Sequence, residues 1–310
     1  MLIFQQVKIR KGASAVTAVL RKAPERTVMS IHLIIDSASD IGMAEATKLG
    51  ITMLPMQITF GEKEYLDGVE LTPTEFYEKL IESDVLPKTS QINEYRFAEA
   101  FENALQTHDE LIVITISSKL SGTYASACRA AEKFGGKVHV VDSLSAAIGE
   151  RLLAQYALRL IEEGKAAQAI AAQLNAVKSR IKIMAMVNTL EYLKKGGRIS
   201  SAIAFAGELL SIKPVITVTD GEVKMIGKAM GSKKANNLLT KLIAESGGID
   251  FSMPYGTLYS GLTDAVLQKY IADSAHVWQD ATDSIPIYLL GGTIGTHVGP
   301  GAIGVAFFKK

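Results

Sequence analysis

The stretch Ile114–Ala131, ITISSKLSGTYASACRAA, decides the fold. An apolar run with strand character gives way, through a knot of small hydroxyl residues around Gly122, to an alanine-rich run with helix character. A strand handing over to a helix across so short a loop is half of a βαβ unit. Ser117, Ser118, Ser121, Thr123 and Tyr124 crowd that loop. Hydroxyls there serve as N-caps for the free N–H groups of a first helical turn. The same position is also suited to binding an anion. The loop alone leaves both readings open.

On either side the alternation repeats. IHLIID (31–36) reads as a strand, and SASDIGMAEATKLG (37–50) carries helix spacing with a terminal Gly50. ITMLPMQITF (51–60) reads as a strand interrupted at Pro55, which places an edge or a bulge there. GEKEYLDG (61–68) reads as a turn-rich excursion. Thr72, Pro73 and Glu75 then stand in capping-box order at the head of a helix. A further helix, the strand ELIVITIS (110–117), the Ser121 helix and the strand KVHVVDS (137–143) continue the rhythm of a parallel sheet with helices on its faces. Two long helical runs, Ser145–Glu163 and Ala166–Arg180, lead into a second α/β unit. There Asp220-Gly221 joins two strands, the strongest hairpin signal in the chain. The expected organisation is an extension over 1–28 outside the fold, an N-terminal parallel-sheet α/β domain over 29–174, and a C-terminal α/β domain with an antiparallel hairpin over 175–310.

Composition narrows the function classes. The 310 residues are 48% hydrophobic and 21% charged, the profile of an ordinary globular protein. A formal net charge of +1 provides no general field for nucleic acid or for more than transient membrane contact. The single cysteine, Cys128, has no partner for a disulfide within the chain and fits a reducing cytoplasm, where we expect the protein to reside. No stretch approaches the length of about 18 apolar residues that spans a bilayer.

Catalytic signatures are missing. There is no Gly-x-Ser-x-Gly elbow, Walker A loop or His-Glu-x-x-His helix. The five histidines, at 32, 108, 139, 276 and 297, show no ligand spacing, so no metal is expected. Hydroxyls recur where expected strands end: Ser37 and Ser39, Thr89 and Ser90, and Ser117 to Thr123. In an open parallel sheet ligands bind at the carboxyl ends of the strands.

IIDSASDI (34–41), LPMQITFGEKEYLDGVELTPTEFYEKL (54–80), PKTSQ (87–91), SSKLSGTYASA (117–127), YLKKGGRIS (192–200), LLSIKPVI (209–216) and IGTHVGPGAIGVAF (294–307) occur in the order found in the DegV family. The chain resembles that family from about Met29 to Phe308. The resemblance implies two α/β domains enclosing a long-chain fatty acid in a buried tunnel, with no other cofactor. It further implies a non-catalytic subunit that presents the acyl carboxylate to a separate kinase, which phosphorylates it with ATP. At the matching positions, Thr89 and Ser121 fall where the family holds the carboxylate, and His297 where it adds a polar contact. Ser90 and Gly122 are their neighbours. Arg198, Lys228 and Lys233 would face the kinase.

Two positions depart from the family pattern. Ile92 stands where Thr-Ser-Gln is usually followed by proline. In GKAMGSKKA (227–235), Met230 and Ser232 stand where the family often carries arginines implicated in kinase docking. Lysines nearby lack the bidentate fork of arginine. Two other readings therefore accompany the kinase-subunit reading. One is a lipid carrier or sensor without a kinase. The other is an enzyme, either a serine hydrolase using Ser121 with His297 or a kinase acting on a small carbonyl compound.

Overall fold

A computed structural model describes residues 29–200, 211–281 and 284–310. The expected extension over 1–28 lies outside the described residues, as do Leu209 and Leu210 of the LLSIKPVI motif.

The chain enters the fold through β1 (Ile31–Asp36), followed by α1 (Met43–Leu49) and β2 (Thr52–Leu54). Pro55, which has no N–H to offer a ladder, separates β2 from β3 (Gln57–Phe60). The single strand read across Pro55 is thus two strands in two different sheets. The segment read as a turn contains β4 (Lys63–Leu66). Then come α2 (Pro73–Glu82), β5 (Lys88–Ser90), α3 (Glu94–Ala104), β6 (Glu110–Thr115), α4 (Thr123–Ala131) and β7 (Val138–Asp142). Helix α2 begins with the expected capping box: Glu75 N donates to Thr72 Oγ1 at 3.3 Å, and Thr72 N donates to Glu75 Oε2 at 2.8 Å.

Helices α5 (Ile148–Glu162) and α6 (Ala167–Val177) precede β8 (Ile181–Met186), so residue 174 lies within α6. After α7 (Glu191–Lys195) the hairpin β9 (Ile212–Thr219) and β10 (Glu222–Met230) turns at Asp220 and Gly221, both with positive φ, as a tight hairpin turn requires. The chain closes with α8 (Gly231–Glu245), β11 (Tyr255–Tyr259), α9 (Ala265–Asp273), β12 (Ile287–Leu289), α10 (Gly292–Val298) and β13 (Ile303–Phe308).

The described strands form three sheets. One is parallel, in the order β2-β1-β6-β7; one has six strands, β10-β9-β8-β13-β11-β12; and a small antiparallel one runs β4-β3-β5. The inner strands β1 and β6 are apolar on both faces because helices cover both. One contiguous core runs from Leu33 and Ile112 of the parallel sheet through Leu152 and Leu153 of α5 to Ile183, Leu258 and Phe308 of the six-stranded sheet. In the parallel sheet β2 lies to one side of β1 and β6 to the other, so the strand order reverses between β1 and β6. A crevice opens outside their carboxyl ends, the place where open α/β sheets take ligands.

Candidate functional site

The hydroxyl loop of Ile114–Ala131 lies at that crevice. Beyond it is a narrow slot with a cavity volume of about 90 Å³. Its walls come from the six-stranded sheet, the small sheet, α10 and the loops that leave the parallel sheet. Met56 precedes β3, and Thr89, Ser90 and Gln91 belong to β5 and its end. Ile116, Leu120 and Ser121 follow β6, while Ala146 and Ala147 precede α5. Ile183, Ala185, Ile216, Val218, Val223 and Leu258 line it from the six-stranded sheet, and Thr293, Ile294, His297 and Val298 from α10. Most of these side chains are aliphatic. Among the described residues no lysine, aspartate or glutamate lines the slot, and Arg198 is the one strong base that does.

The polar groups are held by local chemistry. Thr89 Oγ1 lies 2.9 Å from His297 Nε2, a contact between β5 and α10 across 208 residues. Ser121 Oγ accepts from Thr123 N at 3.3 Å and lies 2.9 Å from Thr123 Oγ1, which in turn accepts from Ile92 N at 3.3 Å. The cap position of α4 is Gly122, which makes no side-chain cap bond. Ser121, one residue earlier, serves the first turn instead. A Cβ on Gly122 would meet the amide end of the Gln91 side chain, so a larger residue there displaces Gln91 from its place beside α4. Ile92, at the usual proline position, is buried in the core and uses the N–H that proline would lack.

Burial, and after it the nearby positive Arg198, push the His297 imidazole down to about 4. The ring is therefore neutral at pH 7. Its folded value lies below the ordinary 6.5, so the unfolded chain takes up a proton between pH 6.5 and about 4 that the folded ring refuses. This group costs stability as pH falls through that window and contributes none above it. His297 Nδ1 is buried without a hydrogen-bond partner among the described residues.

A group of buried acids stands behind the slot. Asp36 receives Ala38 N at 2.9 Å and Ile116 N at 2.8 Å, yet burial raises its carboxyl to about 7. Burial also raises Asp40, Asp67 and Glu150. These shifts act opposite to that of His297: the contribution of Asp36 is full at low pH and is lost as pH rises from about 3.8 towards 7.

Of the residues singled out in the sequence, Thr89, Ser90, Ser121 and His297 line the slot, and Gly122 abuts Gln91, which also lines it. Arg198, expected to face a partner, is half-buried in the slot wall. Its Nε donates to Leu120 O at 3.1 Å and its Nη1 to Gly196 O at 2.6 Å. Lys228 and Lys233 are exposed, as are Met230 and Ser232. Ser121 Oγ is engaged with Thr123 rather than His297, and among the described residues no acid lining the slot orients the imidazole. That arrangement lacks the relay a serine nucleophile needs. Gln91, Asp40 and Asp67 escaped the sequence reading of the site, although Asp40 and Asp67 lie in SASDI and YLDG, acids amid apolar runs. Among the described residues no group of three or more His, Cys, Asp or Glu is placed to hold a metal ion. None of their helices is long and apolar enough to cross a membrane.

Relatives share this architecture. The family described as "Uncharacterised protein, DegV family" matches residues 30–310. A DegV domain-containing protein of Deinococcus radiodurans is 34% identical over 282 residues, covering 90% of this chain and 98% of the relative. A DegV family protein from Thermus thermophilus, described by its fatty acid binding, superposes with a TM-score of 0.81 at 33% identity over 91% of this chain and 100% of its own. Another from Eubacterium eligens, loaded with heptadecanoic acid, superposes with a TM-score of 0.76 at 26% identity over 91% of this chain and 100% of its own. With its family match spanning the fold and its slot at the switch point of the parallel sheet, the chain belongs to the DegV family.

Proposed function

We propose that the protein binds a long-chain fatty acid in the slot, with the carboxylate at Thr89, Ser121 and His297 and Ser90 and Gly122 beside it. The observation that carries this reading is a narrow aliphatic void whose polar groups come from three separate elements. Burying a chain contributes about 0.8 kcal/mol per methylene, so a long tail supplies on the order of 10 kcal/mol before ordering costs. Hydrogen bonds from neutral hydroxyls to a carboxylate add roughly 1.5 to 3 kcal/mol each and fix its direction. The tail supplies affinity and the head group supplies orientation.

The second half of the proposal is presentation of that carboxylate to a kinase subunit. Arg198, Leu120 and Val223 line both the slot and a neighbouring surface cleft that also carries Lys119 and Lys224. Glu222 lines the cleft as well, and Lys224 lies 3.9 Å from the carboxylates of Asp220 and Glu222, so a phosphoryl donor approaching from it would meet Lys119 and Arg198 as the basic groups near the head group. Met230 and Ser232, in place of arginines, favour the alternative of a carrier without a kinase, and leave Lys228 near the end of β10 and Lys233 and Lys234 at the start of α8 as the basic residues of that segment.

Calorimetric titration of delipidated protein tests the orientation. Stearic acid is expected to bind at least about tenfold more tightly than its methyl ester, which keeps the tail but offers the hydroxyls no charged acceptor. Equal affinities would remove the head-group site from the proposal.

A further inference from the structure

We propose that Asp40 and Asp67 are positioning residues for the head-group end of the slot, acting through α10 to hold His297 against Thr89. The inference rests on the fatty-acid reading only for its effect on affinity, since the geometry stands without a ligand.

Helix α10 is seven residues long and contains Gly292 and Gly295, with Gly291 before it and Gly299 after it. So short and glycine-rich a helix is weak in isolation. Gly291 offers no side-chain cap. The first amides find carboxylates from elsewhere in the fold: Gly291 N donates to Asp40 Oδ1 at 2.7 Å, Gly292 N to Asp67 Oδ1 at 3.1 Å, and Thr293 N to Asp67 Oδ2 at 3.2 Å. Asp40 follows β1 of the parallel sheet. Asp67 follows β4 of the small sheet, where its own N–H donates to Met56 O at 2.9 Å.

The glycines allow this seating. A Cβ on Gly292 would strike Ile58 and Phe76, and one on Gly295 would strike Phe76 and Tyr77. The helix therefore lies backbone-close on α2 and β3, gripped at its amino end by Asp67 and at its carboxyl end by Thr89 of the same small sheet. Thr293, Ile294, His297 and Val298 face the slot from this one helix. Loosening the amino end releases the ring at the other, less than two turns away.

A double-mutant cycle separates positioning from bulk stabilisation. Asp67→Asn keeps one acceptor oxygen where two amides need two. It is expected to lower stearic acid affinity about tenfold with His297 present, and less than about twofold in the His297→Gln background. In parallel, NMR titration of the His297 ring should move from about 4 in the wild type towards the ordinary 6.5 in Asp67→Asn, as the ring gains solvent. Equal losses in both backgrounds, or an unmoved His297 titration in a folded variant, would overturn the proposal. If Asp67→Asn does not fold, Asp40→Asn, whose side chain accepts from Gly291 N, enters the same cycle under the same criteria. If the wild type fails to bind stearic acid, the fatty-acid reading fails, and the ring titration alone decides the positioning claim.

Discussion

Ala185→Trp is expected to lower the affinity for a long-chain fatty acid by about a thousandfold while leaving the protein folded. Ala185 is buried on β8 and lines the slot with the aliphatic Ile183, Ile216 and Leu258. An indole there occupies space that the acyl chain needs. Denying burial to about five methylenes at about 0.8 kcal/mol each removes about 4 kcal/mol, or three orders of magnitude in Kd. Because the slot is narrow, the ring carries some cost of overpacking, and the thermal midpoint is expected to fall by a few degrees with the fold retained. Calorimetry and a thermal melt read both quantities. Wild-type affinity in this variant would place the acyl chain elsewhere.

Ser121→Ala should separate binding from presentation. The tail holds the ligand, so fatty-acid affinity is expected to fall only a few-fold. Acyl phosphate formation in a reconstituted assay with a competent kinase should fall about a hundredfold, because displacing a reacting oxygen by about 1 Å costs that much in rate. Equal losses in the two measurements would mean that Ser121 contributes affinity alone. No change in either would leave it with its bonds to Thr123 as a support for the first turn of α4.

The parts of this fold that could be read from sequence were those determined locally. Ile114–Ala131 announced β6, its loop and α4 because the switch from continuous apolar residues to helix spacing occurs within one short window. The capping box at Thr72 and the Asp220-Gly221 turn were legible for the same reason. Helix α10 was not. Its glycines argue against a helix, and the carboxylates that hold its first amides lie 251, 225 and 226 residues away in sequence. No local pattern encodes such a pairing. Pro55 was read as a disturbance within one strand, whereas it marks the passage from the parallel sheet to the small antiparallel one. The hydroxyls of the site were visible as residues at strand ends. That Thr89 meets His297 followed only from the three-dimensional arrangement of β5 and α10. Arg198 is directed towards a partner only by the family resemblance, and its bonds to Leu120 O and Gly196 O in the slot wall follow from the fold alone.

The central claim is that the slot holds a long-chain fatty acid, and native mass spectrometry of the purified protein, followed by analysis of the extracted lipid, tests it most directly. The account predicts a bound species whose mass is that of a long-chain fatty acid, present on purification or acquired on incubation with free fatty acids, at one molecule per chain. A spectrum showing only ligand-free protein, unchanged after that incubation, would contradict it.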